Sequence, residues 1–466
     1  MPLIIPTNSI SAVGYDVANS LRFNSGSSDY LNRTHGTSTN ADKCTISFWI
    51  KRSGLGNETI ISNYSSSAFR AKIEFNNSDQ LRYLQVNDNS NSAELVTNRV
   101  FRDISAWYSI TIVADTSQAT SSDRLKFYVN NVQETSFATS SYPAQNLDFK
   151  LNQNSVPINI GQNGNSAEYV NGYLTEFVFI DGQALDPTSF GEFDEDTGIW
   201  KPIDVSGLTF GTNGFYLDFE SSGSLGADVS GNGNNFTVNN LTSIDQTTDT
   251  PTNNYATMNP LDVPASNQPT FSEGNLKVVS PSSAGDNNFG GASTIAVSSG
   301  KWYIEAKATV GAGGYSRNRI GITGNESTAR INNTLGANSY EYFYDSASGN
   351  SNAGSYGNSY TTGDIIGIAL NLDDNELKFY KNGTVQNSGT AISIDAPSST
   401  SIGAYKIAQS DSSGISGATS TFEFNFGSPP YTISSGNSDA NGYGNFEYAV
   451  PSGYYALNTK NLAEYG

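Results

Sequence analysis

The chain of 466 residues contains one cysteine, Cys44, and one histidine, His35. A single cysteine excludes an intramolecular disulfide, so folding requires no oxidising compartment. A single histidine excludes a histidine-based metal cluster, and its position in a polar segment gives no support to a Ser-His-Asp triad. We expect Cys44, at the start of an apolar segment, to be a small buried residue.

Charge is also scarce, and it is mostly negative. Charged residues make up 15% of the chain, with 24 Lys and Arg against 44 Asp and Glu, which gives a net charge of −20. Such a surface repels nucleic acid, and no dense Lys/Arg cluster counteracts it, so we expect no nucleic-acid partner. No apolar run approaches the ~20 residues of a membrane span, and the opening MPLIIPTNSI lacks the features of a secretory signal. We therefore expect a protein that folds in a cytosol and does not insert into a membrane.

The chain is rich in aromatic side chains and in turn residues, with 26 Tyr, 24 Phe and 45 Gly. Apolar residues alternate with polar ones, or form short runs, between Gly, Asn and Ser. The segments 44–52, 107–115 and 173–181 belong to a first series of such strands, and 300–310 and 364–374 to a second. Strands at this density predict antiparallel β-sandwiches or barrels.

We therefore predict an all-β protein with two antiparallel β-sandwich (jelly-roll) domains joined by a polar connector. The expected boundaries are an N-terminal arm at 1–20, a first sandwich at 21–220, a connector at 221–272 and a second sandwich with a C-terminal tail at 273–466. The connector is rich in Asn, Thr and Ser and contains four prolines, which cannot join a central strand. A helical turn is predicted only near 186–196, where Asp186 precedes Pro187.

One phrase occurs twice, as LKFYVNNVQ at 125–133 and LKFYKNGTVQ at 377–386. In each copy an aromatic strand runs into a turn that contains asparagine. Asn-Asn and Asn-Gly tolerate positive φ, which tight hairpins require. We interpret both copies as β-hairpins rather than as a duplicated catalytic site.

The first series resembles the laminin-G-like, concanavalin A-like lectin fold. The resemblance is carried by TISFWIKR at 45–52 and by the closing pattern INIGQNG…YVNGYLTEFVFIDGQALDPTSF between 158 and 190. The second series resembles a SPRY domain, through GKWYIEAKATV at 300–310 and TTGDIIGIALNLDDNELKFYKNG at 361–383. The order of these two parts, with the Asn-rich bridge and the tail VPSGYYALNTKNL, resembles structural proteins of bacteriophage virions.

The resemblance implies a non-enzymatic virion protein, such as a tail fibre or similar appendage that contacts host-surface glycan. The alternative is a purely architectural capsid-decoration or tail-adaptor protein that binds other virion proteins. Either protein would be made in the bacterial cytoplasm, assembled into the virion and released by lysis. A homo-oligomer is expected, and a trimer by analogy with fibres.

The candidate ligand-binding residues are tyrosines, which offer an apolar face and a hydroxyl to a sugar ring. Three lie on one expected strand and two on the Gly/Ser/Asn-rich loop 346–360: Tyr340, Tyr342, Tyr344, Tyr356 and Tyr360. Residues of this kind could equally line a sandwich core or a subunit contact.

Calcium is the one cofactor considered. The segment GADVSGNGNNF places Asp228, Ser230, Asn232 and Asn234 at every second position of a loop, and hard cations bind such oxygens. Asp228, Asn232 and Asn234 are the candidate ligands. The alternative is an irregular Gly/Asn turn, since only one carboxylate is present.

The acidic run 192–196 invites comparison with the paired carboxylates of glycosidases. Its glycine-flanked position predicts a solvated loop instead, and we expect no enzyme.

Overall fold

The computed structural model describes residues 14–264, 268–280, 288–309, 318–326, 335–347, 349–352, 354–411 and 420–466. The chain divides into two compact units, one of which runs to Thr252 while the other continues from Asn253. Most of the predicted N-terminal arm, residues 1–13, lies outside the described residues. Each unit is built from β-sheets around its own apolar core, so the all-β prediction is confirmed.

The strands of the first unit are β1 (Ser20–Phe23), β2 (Tyr30–Thr34), β3 (Lys43–Arg52), β4 (Glu58–Ser66), β5 (Phe69–Phe75), β6 (Gln80–Asn87), β7 (Ser90–Val100), β8 (Trp107–Asp115), β9 (Leu125–Val129), β10 (Val132–Gln133), β11 (Phe137–Ser141), β12 (Pro157–Ile160), β13 (Gly172–Asp181), β14 (Gly191–Phe193), β15 (Trp200–Pro202), β16 (Phe215–Leu217), β17 (Thr237–Asn239) and β18 (Gln246–Thr247). Short 3-10 helices occur at Ser121–Asp123, Lys150–Asn152, Pro187–Ser189 and Ser243–Asp245.

Two antiparallel sheets of the first unit face each other. Sheet 1 has the order β10-β9-β8-β3-β13-β1-β18, with β16 beside β13, and sheet 2 has the order β11-β7-β6-β5-β4-β12-β2-β17. Their facing side chains form one continuous apolar core. In β5, for example, Ala71, Ile73 and Phe75 are buried in that core. Because side chains of a strand alternate between faces, the intervening Lys72 and Glu74 point to the outer face of sheet 2.

The elements of the second unit are β19 (Thr270–Ser272), β20 (Lys277–Val279), β21 (Asn288–Val297), β22 (Lys301–Thr309), β23 (Asn318–Thr323), β24 (Glu341–Asp345), β25 (Asn350–Ser351), β26 (Gly354–Ser355), β27 (Ile365–Asn371), β28 (Glu376–Lys381), β29 (Thr384–Val385), β30 (Ile392–Ser393), β31 (Tyr405–Asp411), β32 (Thr421–Asn425), β33 (Tyr455–Ala456) and the helix α1 (Thr459–Tyr465). Further 3-10 helices occur at Asn387–Gly389 and Pro397–Ser399.

The second unit is also a sandwich. Sheet 3 has the order β19-β20-β32-β22-β27-β28-β29, and sheet 4 has the order β21-β31-β23-β24. Trp302 and Phe379 from sheet 3 pack with Ile320 and Ile407 from sheet 4 in a common core. In sheet 3, β33 pairs with β22 in parallel, whereas the pairs along the main path are antiparallel.

The repeated phrase forms equivalent hairpins, as predicted. In β9–β10 the turn residues Asn130 and Asn131 have φ of 48° and 64°. In β28–β29 the turn residues Asn382 and Gly383 have φ of 48° and 75°. Two successive positive φ values give the turn that matches the twist of paired strands, which explains why asparagine and glycine stand there.

The predicted connector 221–272 is divided between the two units. In the first unit β17 pairs with β2, β18 pairs with β1, and Phe236 is buried in the core. In the second unit Met258 is buried and β19 pairs with β20. Residues 265–267 lie outside the described residues. The polar composition of this stretch suggested a separate connector. Its few apolar side chains, which attach it to each core, are outnumbered by polar residues in the sequence.

Two local features involve helical turns. Asp186 Oδ1 accepts a hydrogen bond from Thr188 N at 3.0 Å, which caps the 3-10 turn at Pro187–Ser189 as predicted. The C-terminal helix α1 was not predicted, because it is short and its apolar face is limited to a few positions such as Leu462.

Among the described residues, no helix is long and apolar enough to cross a bilayer.

Candidate functional site

Three of the five candidate tyrosines lie in the core of the second unit. Tyr344, Tyr356 and Tyr360 are 0%, 5% and 3% exposed. The ring of Tyr344 stacks on Phe379 with 5.4 Å between centroids, and the Tyr360 hydroxyl donates to Asn318 O at 2.6 Å. These rings are packed between the sheets and are not available to a ligand. The predicted ligand-binding role of these three tyrosines is therefore corrected to a role in the core.

The other two candidates, Tyr340 and Tyr342, are half-buried and pack against the same core. The Tyr342 hydroxyl donates to Asp395 Oδ2 at 2.8 Å and accepts from Asp395 N at 2.9 Å, which fixes the half-buried ring beside Tyr405. Tyr340 precedes β24 with a φ of 63° and packs against the same core. The tyrosine pattern thus reflects core packing, the alternative that the sequence left open.

The calcium candidates form a loop that is closed by its own hydrogen bonds. Asp228 Oδ1 accepts from Tyr216 N and Ser230 N, and Asp228 Oδ2 accepts from Asn234 N at 2.7 Å. Asn232 donates its amide to Gly211 O and Gly214 O. The Asn234 side-chain oxygen accepts from Arg33 at 2.5 Å. The arrangement is that of an irregular Asn/Gly turn. Within the described residues, no group of three or more His, Cys, Asp and Glu is arranged to hold a metal.

The acidic run 192–196 forms the turn between β14 and β15. Asp194 Oδ1 accepts from Asp196 N and from both the backbone and hydroxyl of Thr197. The Glu192 side chain is 57% exposed and lies 3.4 Å from Lys201 Nζ. Lys201 Nζ also lies 3.3 Å from Asp194 Oδ2, so one lysine pairs with both carboxylates while Asp194 shapes the turn.

A polar cleft of about 280 Å³ lies on sheet 2 of the first unit. Its floor comes from β4 and β5 and its opposite wall from residues 161–171, which we call the cover loop. The lining side chains that we consider for binding are Tyr64, Arg70, Lys72, Asn163, Asn165 and Glu168. Tyr64 pairs with Arg70, and Ser62 with Lys72, in the β4–β5 register. This register places all four on one face of the sheet.

The cover loop is attached to the sheet by both backbone and side-chain contacts. Thr59 N donates to Glu168 O and the Ser62 hydroxyl donates to Gln162 O, each at 2.8 Å. Gly164 has a φ of 67°, and a Cβ there would lie 2.5 Å from Cβ of Tyr64. Glycine is thus required for the loop to approach Tyr64 so closely. The cleft is consequently a preformed feature of the fold.

Lys72 and Glu168, which line the cleft, belong to a network of charged groups that extends along sheet 2. Lys72 Nζ lies 2.6 Å from both Glu168 Oε2 and Glu74 Oε2, and Arg82 bridges Glu74 and Glu94. Burial alone would raise the pKa of Glu168, but hydrogen bonds from Lys72 and Thr59 outweigh it and lower that pKa. For the more deeply buried Glu74, burial dominates and raises the pKa despite both cations.

The cleft combines an aromatic ring with amides, a carboxylate and two cations. An aromatic face packs against the C–H groups of a pyranose, while amide and charged groups exchange hydrogen bonds with hydroxyls. Sequence reasoning missed this site. The available indication was the alternation in AKIEF at 71–75, which places Lys72 and Glu74 away from the core. Nothing in the local sequence indicated that Glu168 would lie beside Lys72.

The comparisons with known proteins agree with this architecture. Residues 25–189 match the family model of the concanavalin A-like lectin/glucanases superfamily, and residues 301–399 match that of the SPRY domain. The chain contains a concanavalin A-like domain and a SPRY domain. A domain of the first kind suggests carbohydrate binding, and the cleft lies within it. A comparison with curated proteins yields no match.

Solved structures resemble parts of the chain. The SPRY domain of human HERC1 is 16% identical, covering 32% of this chain and 86% of that one, with a TM-score of 0.24. A SAP-like pentraxin from Limulus polyphemus is 18% identical, covering 37% and 80%, with a TM-score of 0.27. A candidate carbohydrate-binding protein from Bacteroides ovatus is 15% identical, covering 48% and 59%, with a TM-score of 0.35.

Proposed function

We propose that this protein is a non-enzymatic carbohydrate-binding protein of a bacteriophage virion, acting in a tail fibre or similar appendage that contacts host-surface glycan. The observation that carries the binding part is the cleft on sheet 2. There the half-buried Tyr64 lies beside Asn163, Asn165 and the Lys72–Glu168 ion pair. The virion part is supported by the resemblance of the whole domain order to virion structural proteins.

The carboxylate that lines the cleft, Glu168, and its neighbour Glu74 support binding rather than hydrolysis. A glycosidase needs one carboxylic acid that keeps its proton and one free carboxylate. Glu168 is held as an anion by Lys72, which lowers its pKa. Glu74 is 0% exposed and lies between Lys72 and Arg82, out of reach of a sugar. Neither group is therefore suited to donate a proton to a glycosidic oxygen.

The binding proposal is tested with the full chain on an array of bacterial surface polysaccharides. We expect binding of the native protein and a loss of about tenfold in affinity for Tyr64→Ala, because a stacking ring is removed. Tyr128→Ala is the matched control, since Tyr128 is half-buried on sheet 1. If the native chain and Tyr64→Ala bind equally well, the cleft is not the binding site. If neither of them binds, the carbohydrate-binding proposal is contradicted.

The virion role has an architectural alternative, a capsid-decoration or tail-adaptor protein that binds other virion proteins. It is favoured by Val132 on the edge strand β10 and by Phe193 on β14, which are 55% and 51% exposed. Exposed apolar groups at sheet edges are suited to protein contacts. Labelling the chain in purified particles distinguishes the two. Label at the tail tip supports the appendage, and label across the capsid lattice supports the alternative.

A further inference from the structure

Arg70 differs from the other cations on its side of sheet 2. Lys72 and Arg82 are each held between two carboxylates. Arg70 forms no ion pair within the described residues, and its guanidinium donates to the carbonyl oxygen of Ser67. Since only 24 of the 466 residues are cationic, an arginine that lies at a cleft and pairs with no carboxylate of the described segments calls for an explanation.

The surroundings of Arg70 indicate which chemical group of a ligand its guanidinium would bind. A guanidinium has five N–H donors in a planar fork that fits a carboxylate, and one contact with Ser67 leaves most of them available. The nearby carboxylates do not compete, because Glu168 is engaged by Lys72 and the Thr59 hydroxyl, and Glu74 by Lys72 and Arg82. A carboxylate on a ligand would therefore complete an ion pair that none of the described carboxylates forms with Arg70.

The ring of Tyr64 lies directly opposite Arg70 across the two strands, on the same face. The Cβ atoms of two residues that lie directly opposite each other on one face of an antiparallel pair are about 5 Å apart. That spacing suits a pyranose that stacks on the ring and carries its carboxylate at the adjacent exocyclic position. Asn163 and Asn165 of the cover loop line the same cleft and offer hydrogen bonds to its hydroxyls.

We propose that the cleft recognises an acidic saccharide, a sugar that bears a carboxylate, with Arg70 as the residue that sets this specificity. The inference rests on the proposed carbohydrate-binding function and narrows it to one ligand class. The net charge of −20 repels a polyanion, but salt screens that repulsion at separations beyond about 10 Å. Recognition therefore depends on the contacts that form inside the cleft. The bound carboxylate is then paired at short range in a partly desolvated cleft.

The test uses the full chain against immobilised polygalacturonate, alginate, hyaluronan and polysialic acid. Each is also presented after reduction of its carboxylates to alcohols, and dextran, galactan and mannan are the neutral members. We expect binding to at least one acidic polysaccharide and loss of that binding after carboxyl reduction. Binding that survives reduction, or that is confined to neutral members, overturns the inference and leaves carbohydrate binding intact. Binding to no member contradicts the proposed function as well.

Variants assign the effect to one side chain. Arg70→Gln is expected to weaken binding to the acidic ligand by about 10- to 100-fold, the loss of a charge-assisted contact. Arg70→Lys should restore part of that loss, because the charge remains while the planar fork is absent. Lys126→Gln on sheet 1 makes the same charge change away from the cleft and should bind as the native chain does. Equal weakening by Arg70→Gln and Lys126→Gln would contradict the assignment.

Discussion

Tyr64 and Arg70 face each other across β4 and β5 on the side of sheet 2 that points away from the core. The same register places Ser62 opposite Lys72 and buries Ala71 and Ile73 beneath them. A slip of one residue would turn the whole set toward the core, so the hydrophobic pattern of β5 also fixes the polar surface of the cleft. The binding surface thus depends on the stability of this hairpin.

Replacing Lys72 by methionine should destabilise the first unit. Lys72 lies 2.6 Å from two carboxylates, of which Glu74 has a side chain only 1% exposed. Its removal leaves those anions with fewer partners, at a cost of about 3 kcal/mol in the free energy of unfolding. Urea denaturation measures the change. Lys126→Met, which breaks a pair with the 45% exposed Asp123, should cost less than about 1 kcal/mol. Similar losses for both variants would contradict this prediction.

Glu176 should make the protein less stable as the pH rises. It lies at a bulge in β13, is 6% exposed and accepts a hydrogen bond from the Tyr216 hydroxyl at 2.8 Å. Burial raises its pKa to about 8, the charges of Asp218 and Glu220 add to the rise, and the bonds from Tyr216 and Tyr15 oppose it. An unfolded chain loses this proton near the ordinary value of 4.5. The stabilisation is therefore complete below that value and is lost as the pH rises to about 8.

Urea midpoints measured across that pH range check the effect of Glu176. Glu176→Gln remains neutral at every pH, so its stability should fall less toward alkaline pH than that of the native chain. Glu192→Gln makes the same substitution at a side chain that is 57% exposed, and it is the control for the substitution itself. The same alkaline slope in Glu176→Gln as in the native protein would show that another group is responsible.

His35 should have the opposite effect, at acidic pH. It is 2% exposed, and neither ring nitrogen has a hydrogen-bond partner among the described residues. The centroid of its ring lies 5.2 Å from that of Phe179. Burial lowers the pKa of His35 to about 3, and the charge of Arg33 adds to the shift. The unfolded chain takes up this proton near 6.5. Stability is thus fully present above 6.5 and is lost as the pH falls toward about 3.

The pKa of His35 can be measured directly, because it is the one histidine in the chain. The imidazole proton resonance should not titrate near neutral pH in the folded protein and should do so after denaturation. His35→Phe should flatten the acid side of the stability profile. Titration of the folded protein near the ordinary value of 6.5 would refute the prediction.

Replacing Asn63 by leucine should stabilise the first unit. Asn63 is 1% exposed, and neither atom of its amide has a hydrogen-bond partner among the described residues. The register places it opposite Ala71 and Ile158, both in the core. Leucine has a similar shape and leaves no buried polar group, a gain of about 1–3 kcal/mol. Asn63→Asp should be destabilising in the same denaturation experiment, and a loss in both variants would contradict the argument.

The strand-level predictions succeeded where the pattern was local. The hairpins at 125–133 and 377–386 follow from Asn-Asn and Asn-Gly turns, and the turn at Pro187–Ser189 follows from Asp186. The tyrosines show the limit of such reasoning. Alternation identified the face shared by Tyr342 and Tyr344, but it does not tell whether a face meets solvent or the opposite sheet. Burial between sheets 3 and 4 decides that, and it removed Tyr344 from the candidate site.

The sequence by itself determined the fold class, because period-two alternation between turn residues has no stable solution other than sheets that bury one face. It also placed Lys72 and Glu74 on the outer face of β5. Only the tertiary structure brought Glu168, 96 positions along the chain, to Lys72 and laid the cover loop over Tyr64. The physical reason is that the strand order β5-β4-β12 is set by long-range pairing between distant segments. The cleft, and the position of Arg70 at its floor with no ion pair to any described residue, are consequences of that order.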